Sequence, residues 1–194
     1  MKKLFLLILI GTSFGAYCQK KKPAAKTSAA KTVLTKSGDL SAELSERKDN
    51  YRFYVITGKD TLTAKTISKQ NGAPTNVKIT PFNGGTAKLQ AISWVEKKTV
   101  GDAKSKLENI SETHTEVWDA ATKTRVYENV QMVNNISEVV WLDPNKTASK
   151  TVEKIKRDGC ECSINPDGDI VLKNKTQESR LKYDPVTQKF VPRK

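Results

Sequence analysis

The feature that most limits the fold of this chain is a series of short apolar and polar runs, separated by turn residues, from about Ser41 onward. In the segment 51–56, the side chains at odd positions would point to one face of a sheet and those at even positions to the other, as in a β-strand. Gly58-Lys59 follows this run, where a tight hairpin needs the positive φ that glycine adopts easily. The pattern predicts antiparallel strands joined by hairpins.

The last third of the chain carries the clearest turn signals. Asp158-Gly159 and the segment 165–168 each separate two short runs, as expected for a meander of hairpins. We expect roughly eight to eleven short strands in an all-β domain, arranged as an antiparallel β-sandwich or a partly open barrel. The segment 102–112 fits either a short helix capped by Asp102 or a hairpin, and its Ser and Asn residues, Ser105, Asn109 and Ser111, favour the hairpin.

Residues 1–18 have the three parts of a cleaved bacterial signal peptide. Two lysines precede an apolar run from Leu4 to Ile10, which is far shorter than the ~20 residues of a permanent membrane span. Small side chains near the end of the leader predict cleavage between Cys18 and Gln19. Lipidation of Cys18 is an alternative that the bulky Tyr17 disfavours. The expected location is the periplasm or the exterior, with no transmembrane span left after cleavage.

Residues 19–40 are predicted to be a flexible tail, and residues 41–194 a single β domain. The tail contains almost no large apolar side chain to offset the entropy of ordering. Its lysines would either tether the protein to anionic envelope glycan or lipid, or belong to a solvated spacer; they are Lys20, Lys21, Lys22, Lys26, Lys31 and Lys36.

The net charge of +13 comes from 34 basic and 21 acidic residues. Much of the excess lies in the leader and the tail, so the folded domain is only mildly basic. This distribution gives no support to a specific nucleic-acid partner.

Cys160 and Cys162 are the cysteines that remain after removal of the leader. Side chains two residues apart on a strand are ~6.6 Å apart, whereas bridged Cβ atoms need ~3.8 Å, so a disulfide between them requires a bulge. Three states stay open: a strained local disulfide, two unbridged thiols packed on the sheet, and a pair used for metal binding or redox exchange.

Trp94, Trp118 and Trp141 lie on three different predicted strands. Exposed together, they would form a platform for sugar rings; otherwise they are core residues, which their apolar neighbours favour. His114 is the sole histidine and is expected on the surface of a strand. One imidazole cannot form a multi-histidine zinc site, and the sequence has neither a Gly-x-Ser-x-Gly elbow nor a glycine-rich phosphate loop.

These observations nominate no catalytic residue, metal or cofactor. We expect an exported bacterial protein that acts without catalysis, as a binding, adaptor or envelope-associated structural protein. One alternative is a periplasmic thiol-redox or metal-handling protein that uses Cys160 and Cys162. A second is a glycan-acting protein with the tryptophan platform.

Overall fold

The structure, a computed structural model, describes residues 31–193. These residues form β-strands almost throughout, with one short 3-10 turn at Lys69–Asn71. In chain order the strands are β1 (Lys31–Ser37), β2 (Leu40–Glu46), β3 (Asn50–Thr57), β4 (Asp60–Ser68), β5 (Thr75–Gly84), β6 (Ala87–Asp102), β7 (Lys106–Asp119), β8 (Thr124–Trp141), β9 (Ser149–Asp158), β10 (Glu161–Ile164), β11 (Ile170–Lys173), β12 (Glu178–Asp184) and β13 (Lys189–Pro192).

The strands form three antiparallel sheets, in each of which neighbouring strands follow one another along the chain. We call them the N-terminal sheet (β1–β4), the central sheet (β5–β9) and the C-terminal sheet (β10–β13). Within residues 31–193 none of the sheets closes into a barrel. The prediction of an all-β antiparallel meander is confirmed. The described residues contain thirteen strands rather than roughly eight to eleven, and one of the additional strands, β1, falls in the segment predicted to be a tail.

Two hydrophobic clusters join the sheets, one on each side of the central sheet. On β6, Ile92 and Trp94 face the N-terminal sheet and pack in a cluster that includes Phe53. Leu89 and Ala91 alternate with them along the strand and belong to the cluster with the C-terminal sheet. The central sheet is therefore the middle layer of a three-layer stack.

The central sheet is longer than the two sheets that cover it. Neither hydrophobic cluster contains a residue from 96–112 or 130–158. We call these parts of β6–β9 the projecting region. The strands of the projecting region pair without a shift in register, and they continue the alternation of Ile92 and Trp94. Even-numbered residues therefore lie on the side of the N-terminal sheet, and odd-numbered residues lie on the side of the C-terminal sheet.

The segment 102–112 is a hairpin followed by the first half of β7, as the sequence favoured. Asp102 pairs with Lys106, and the Ser105 amide donates a hydrogen bond to the Asp102 carbonyl oxygen at 3.1 Å. Both long strands then continue in register along the projecting region.

The folded region begins earlier than the boundary predicted at residue 41. β1 pairs antiparallel with β2, and Leu34 packs against the first hydrophobic cluster. Lysines that suggested a flexible tail are also typical of an edge strand, where they discourage pairing with other chains. Two of the predicted tail lysines, Lys31 and Lys36, therefore belong to β1.

The predicted signal peptide and residues 19–30 of the predicted tail lie outside the described residues. Across residues 31–193, no helix has the length and apolar composition needed to cross a membrane.

Candidate functional site

The two cysteines are not bridged, which contradicts the disulfide alternative. Cys162 lies on β10, where it pairs with Leu172 and packs against the second hydrophobic cluster. Cys160 precedes the strand, and its Sγ lies 4.0 Å from the Asn174 amide nitrogen. In an extended backbone, side chains two residues apart are too widely spaced for a disulfide, in keeping with the unbridged pair.

The surroundings of Cys162 do not suit thiol chemistry. Burial raises the pKa of its thiol to about 11. The thiolate is the nucleophilic and metal-binding form, so Cys162 is almost wholly inactive at neutral pH. Among residues 31–193, no group of three or more His, Cys, Asp and Glu side chains is placed to hold a metal ion.

The three tryptophans do not share a surface. Trp94 is 1% exposed and Trp118 is 8% exposed, and both pack in the cluster beneath the N-terminal sheet. Trp141 is 47% exposed at the end of β8. The structure thus separates Trp141 from the other two, and a platform built from all three is not formed.

His114 is buried rather than on the surface, because β4 of the N-terminal sheet covers it. Lys65 Nζ lies 2.6 Å from Glu96 Oε1 and 3.2 Å from His114 Nε2. Trp94 donates its indole N–H to the same Glu96 oxygen at 2.9 Å, and its ring stacks on the imidazole. Since an ammonium group can only donate, His114 Nε2 accepts from Lys65 and the imidazole is neutral.

The charges of this network depend on one another. Burial, and then the Lys65 charge, hold the pKa of His114 below its usual value. Burial acts to raise the pKa of Glu96, but hydrogen bonds from Lys65 and Trp94 outweigh it and lower that pKa. The pair is therefore a neutral imidazole beside an ionised carboxylate.

Glu116 forms a second part of the same interface. Its carboxylate accepts hydrogen bonds from Thr63 Oγ1 at 2.6 Å, Trp118 Nε1 at 3.0 Å and Arg125 Nη1 at 3.2 Å. Thr63 belongs to β4, whereas Trp118 and Arg125 belong to the central sheet. Glu116 and Trp118 are buried, and the hydrogen bond from Thr63 joins the two sheets, so the arrangement is that of a structural network.

A large concavity lies on the other side of the central sheet. It is a cleft of about 690 Å³ at the passage from β9 to the C-terminal sheet. We call it the basic cleft, and its lining includes Gln131, Arg157, Cys160, Lys173, Asn174 and Lys175.

Local turn chemistry forms two walls of the basic cleft. Gly159 has φ of +73°, and a Cβ at this position would overlap the carbonyl oxygen of Val130. Glycine therefore lets the chain turn closely against β8 before it enters β10. On the opposite wall, Asn174 Oδ1 accepts the backbone N–H groups of Thr176 and Gln177, which fixes the loop after β11.

The cations of the basic cleft differ from those of the buried network. Within residues 31–193, none of Arg157, Lys173 and Lys175 has a carboxylate oxygen within 4.0 Å. Two acidic residues, Asp158 and Glu161, also contribute to the lining. Asp158 already accepts a hydrogen bond from the Gly159 amide at 2.9 Å. The cleft thus offers unpaired cations beside amide groups.

Sequence reasoning did not select these cations as a group. The available signal was local: Arg157 lies immediately before the Asp158-Gly159 turn and close in sequence to Cys160. Lys173 and Lys175 reach the same place only because β11 folds back beside β10. Of the predicted tail lysines, Lys31 pairs with Glu43 at 3.3 Å and Lys36 lies on β1, both far along the chain from the cleft.

Comparison of the chain with protein-family models, with curated proteins and with solved structures found no match. The chemistry of the basic cleft is therefore inferred from its own residues.

Proposed function

We propose that this protein is an exported, non-catalytic binding protein of the bacterial envelope, with an adaptor or structural role, and that its basic cleft binds an anionic ligand. The observation that carries the proposal is the convergence of Arg157, Lys173 and Lys175 on one concavity without carboxylate partners. Cations gathered in a concavity raise the local concentration of anions, and the guanidinium fork fits a carboxylate or a phosphate.

The amide groups of the cleft favour a ligand that also carries hydroxyl groups. Gln131 and Asn174 lie in the same lining as the cations, and a carboxamide can both donate and accept hydrogen bonds. An acidic glycan of the envelope presents negative charge and hydroxyl groups together, so we take it as the ligand class. The predicted leader at residues 1–18 supports an envelope location, periplasmic or secreted.

A non-catalytic role is supported by the engagement of the groups that acid–base chemistry would use. His114, Glu96 and Glu116 form hydrogen bonds that hold the N-terminal sheet against the central sheet. The thiol-redox alternative is weakened by the burial of Cys162, and the platform alternative by the burial of Trp94 and Trp118.

The test is calorimetric titration with short oligogalacturonides, which carry carboxylates and are small enough for the basic cleft. The triple variant R157Q/K173Q/K175Q should bind at least about tenfold more weakly than the wild type, because charge-assisted hydrogen bonds are lost. A matched control is R47Q/K48Q/K59Q, which removes one arginine and two lysines from exposed positions in the turns of the N-terminal sheet.

The control variant should change the affinity by less than about twofold, since exposed distant charges are screened by salt. Equal losses in the two triple variants would mean that net charge alone attracts the ligand, which would contradict the cleft as the site. The absence of binding by the wild type would contradict the proposed ligand class.

A further inference from the structure

The two faces of the projecting region have different compositions. The even-numbered face, which we call the charged face, carries ion pairs between neighbouring strands. Lys98 Nζ lies 3.4 Å from Glu112, and Lys154 Nζ lies 3.1 Å from Glu138. The odd-numbered face, which we call the polar face, carries few charges, and its neutral polar side chains include Thr99, Asn109, Ser111, Asn135, Ser137 and Thr151. They are interspersed with apolar and charged side chains, namely Val133, Val139, Ile155, Lys97 and Glu153.

The amides of the polar face are free to bind. Asn109 pairs across the strands with Asn135, and both are exposed. Thr99 Oγ1 donates to Asn109 Oδ1 at 3.0 Å, which leaves the Asn109 amide nitrogen directed to other acceptors. Within residues 31–193, the Asn135 side chain forms no hydrogen bond with another residue, so this pair offers donors and acceptors to a ligand.

The polar face continues from the basic cleft. Arg157 lies on this face of β9, and Gln131 lies on the same face of β8; both line the cleft. Trp141 ends the face at the other extremity of β8, where it is half exposed. At about 3.3 Å per residue, the strip from Gln131 to Trp141 is roughly 33 Å long.

We propose that the polar face is a second part of the ligand site, along which an extended acidic polysaccharide lies from the basic cleft to Trp141. This inference rests on the proposed function of the cleft. The cleft supplies cations for the charged groups, the strip supplies amide and hydroxyl groups for the sugar hydroxyls, and the indole supplies a surface on which a sugar ring stacks.

A second copy of the chain is a less suitable occupant of this region. The edge strand β9 carries Lys150, Lys154 and Lys156, which would repel the same strand of another copy. An acidic polysaccharide complements these charges instead.

The experiment compares the affinities of short and long oligogalacturonides by calorimetry, using the full mature chain. A long oligomer contacts two connected parts of one site, so the wild type should bind it at least about tenfold more tightly than a short one. The variants N109A/N135A and W141A should each lose most of this gain and bind the short oligomer as the wild type does.

The matched control is V100A/V140A, which truncates two exposed side chains on the charged face of the same region. This control variant should keep the full difference in affinity between the long and the short oligomer. Unfolding midpoints of all variants should remain near that of the wild type, since every changed side chain is exposed.

The outcomes separate the two proposals. If the wild type binds the short oligomer but gains nothing from length, the polar face is not a subsite and the basic cleft stands. If neither oligomer binds, the proposed function itself fails. If the wild type self-associates in sedimentation and N109A/N135A does not, a second copy occupies the polar face and the polysaccharide inference is overturned.

Discussion

The two sides of the central sheet differ in how their cationic side chains are engaged. On the side of the N-terminal sheet, Lys65 pairs with Glu96, and Arg125 pairs with Glu116. On the side of the C-terminal sheet, the cations of the basic cleft have no such partners in the described chain, and the polar face beside them is nearly neutral. On the first side these charges join two sheets. On the second side Asp119 accepts a hydrogen bond from Tyr183, but the three cations of the basic cleft are not engaged in this way.

This difference appears even between adjacent residues of one strand. Asn134 is buried on the charged face and donates to Glu108 at 2.7 Å. Asn135, on the polar face, is exposed and forms no such bond. Because successive side chains of a strand point to opposite faces, adjacent residues such as Asn134 and Asn135 can serve as matched controls for each other.

The largest expected effect is a loss of stability on the side of the N-terminal sheet. Replacing Glu116 by alanine leaves the Trp118 indole N–H and the Thr63 hydroxyl without their acceptor, and we expect a loss of about 3 kcal/mol in the free energy of unfolding. Urea denaturation measures it. The exposed Arg157→Gln should change the same quantity by less than about 0.5 kcal/mol. Similar losses of unfolding free energy in the Glu116 and Arg157 variants would contradict the proposed difference between the two sides of the central sheet.

The second prediction concerns the different reactivities of the Cys160 and Cys162 thiols. With a pKa of about 11, only about one Cys162 thiol in a thousand is ionised at pH 8. Iodoacetamide should therefore modify Cys160 at least about tenfold faster than Cys162, as followed by peptide mass spectrometry. A saturating short oligogalacturonide should slow the modification of Cys160. Equal rates at the two positions would contradict the burial of Cys162.

The third prediction concerns pH. The groups facing His114 are Lys65, Glu96, Glu112 and Glu116, and together with burial they leave its pKa below 6.5. The unfolded chain then takes up this proton at a higher pH than the folded chain, so stability is lost as pH falls below about 6.5.

His114→Gln removes this titration. Between pH 7.5 and pH 5.5, above the range in which Glu96 titrates, the urea midpoint of the wild type should fall further than that of the variant. A fall of the same size in both proteins would show that other groups cause the acid sensitivity.

The smallest expected effect comes from the lysine-rich segment before β1. Deletion of residues 19–30 removes Lys20, Lys21, Lys22 and Lys26 but keeps β1. If this segment is an electrostatic tether, the affinity for long oligogalacturonides at low salt should fall about threefold, and the difference should vanish at high salt. Unchanged affinity at low salt would identify the segment as a spacer.

Local signals in the sequence were sufficient to predict the class of fold. Alternation in 51–56 and the glycine turns at Gly58 and Gly159 correspond to β3 and to two observed turns. The hairpin within 102–112 was also favoured correctly. Composition misled at β1, because lysines suit both a flexible tail and an edge strand.

The sites depend on contacts that no local pattern encodes. His114 was expected on a surface, but Lys65, 49 residues earlier, lies over it once the two sheets stack. Arg157 meets Lys173 and Lys175 only after the chain turns at Gly159 and β11 returns beside β10. The stacking of sheets decides which face of a strand is covered, and alternation alone cannot supply that information.

The most direct test of the account is a nitrogen-15 nuclear magnetic resonance titration that follows the side-chain amides of asparagine and glutamine. With a long oligogalacturonide, the signals of Gln131, Asn109 and Asn135 should shift together, while that of Asn134, on the opposite face, should not. Shifts confined to Asn134 and the charged face, or no shift at saturating ligand, would contradict the assignment of the ligand site to the side of the C-terminal sheet.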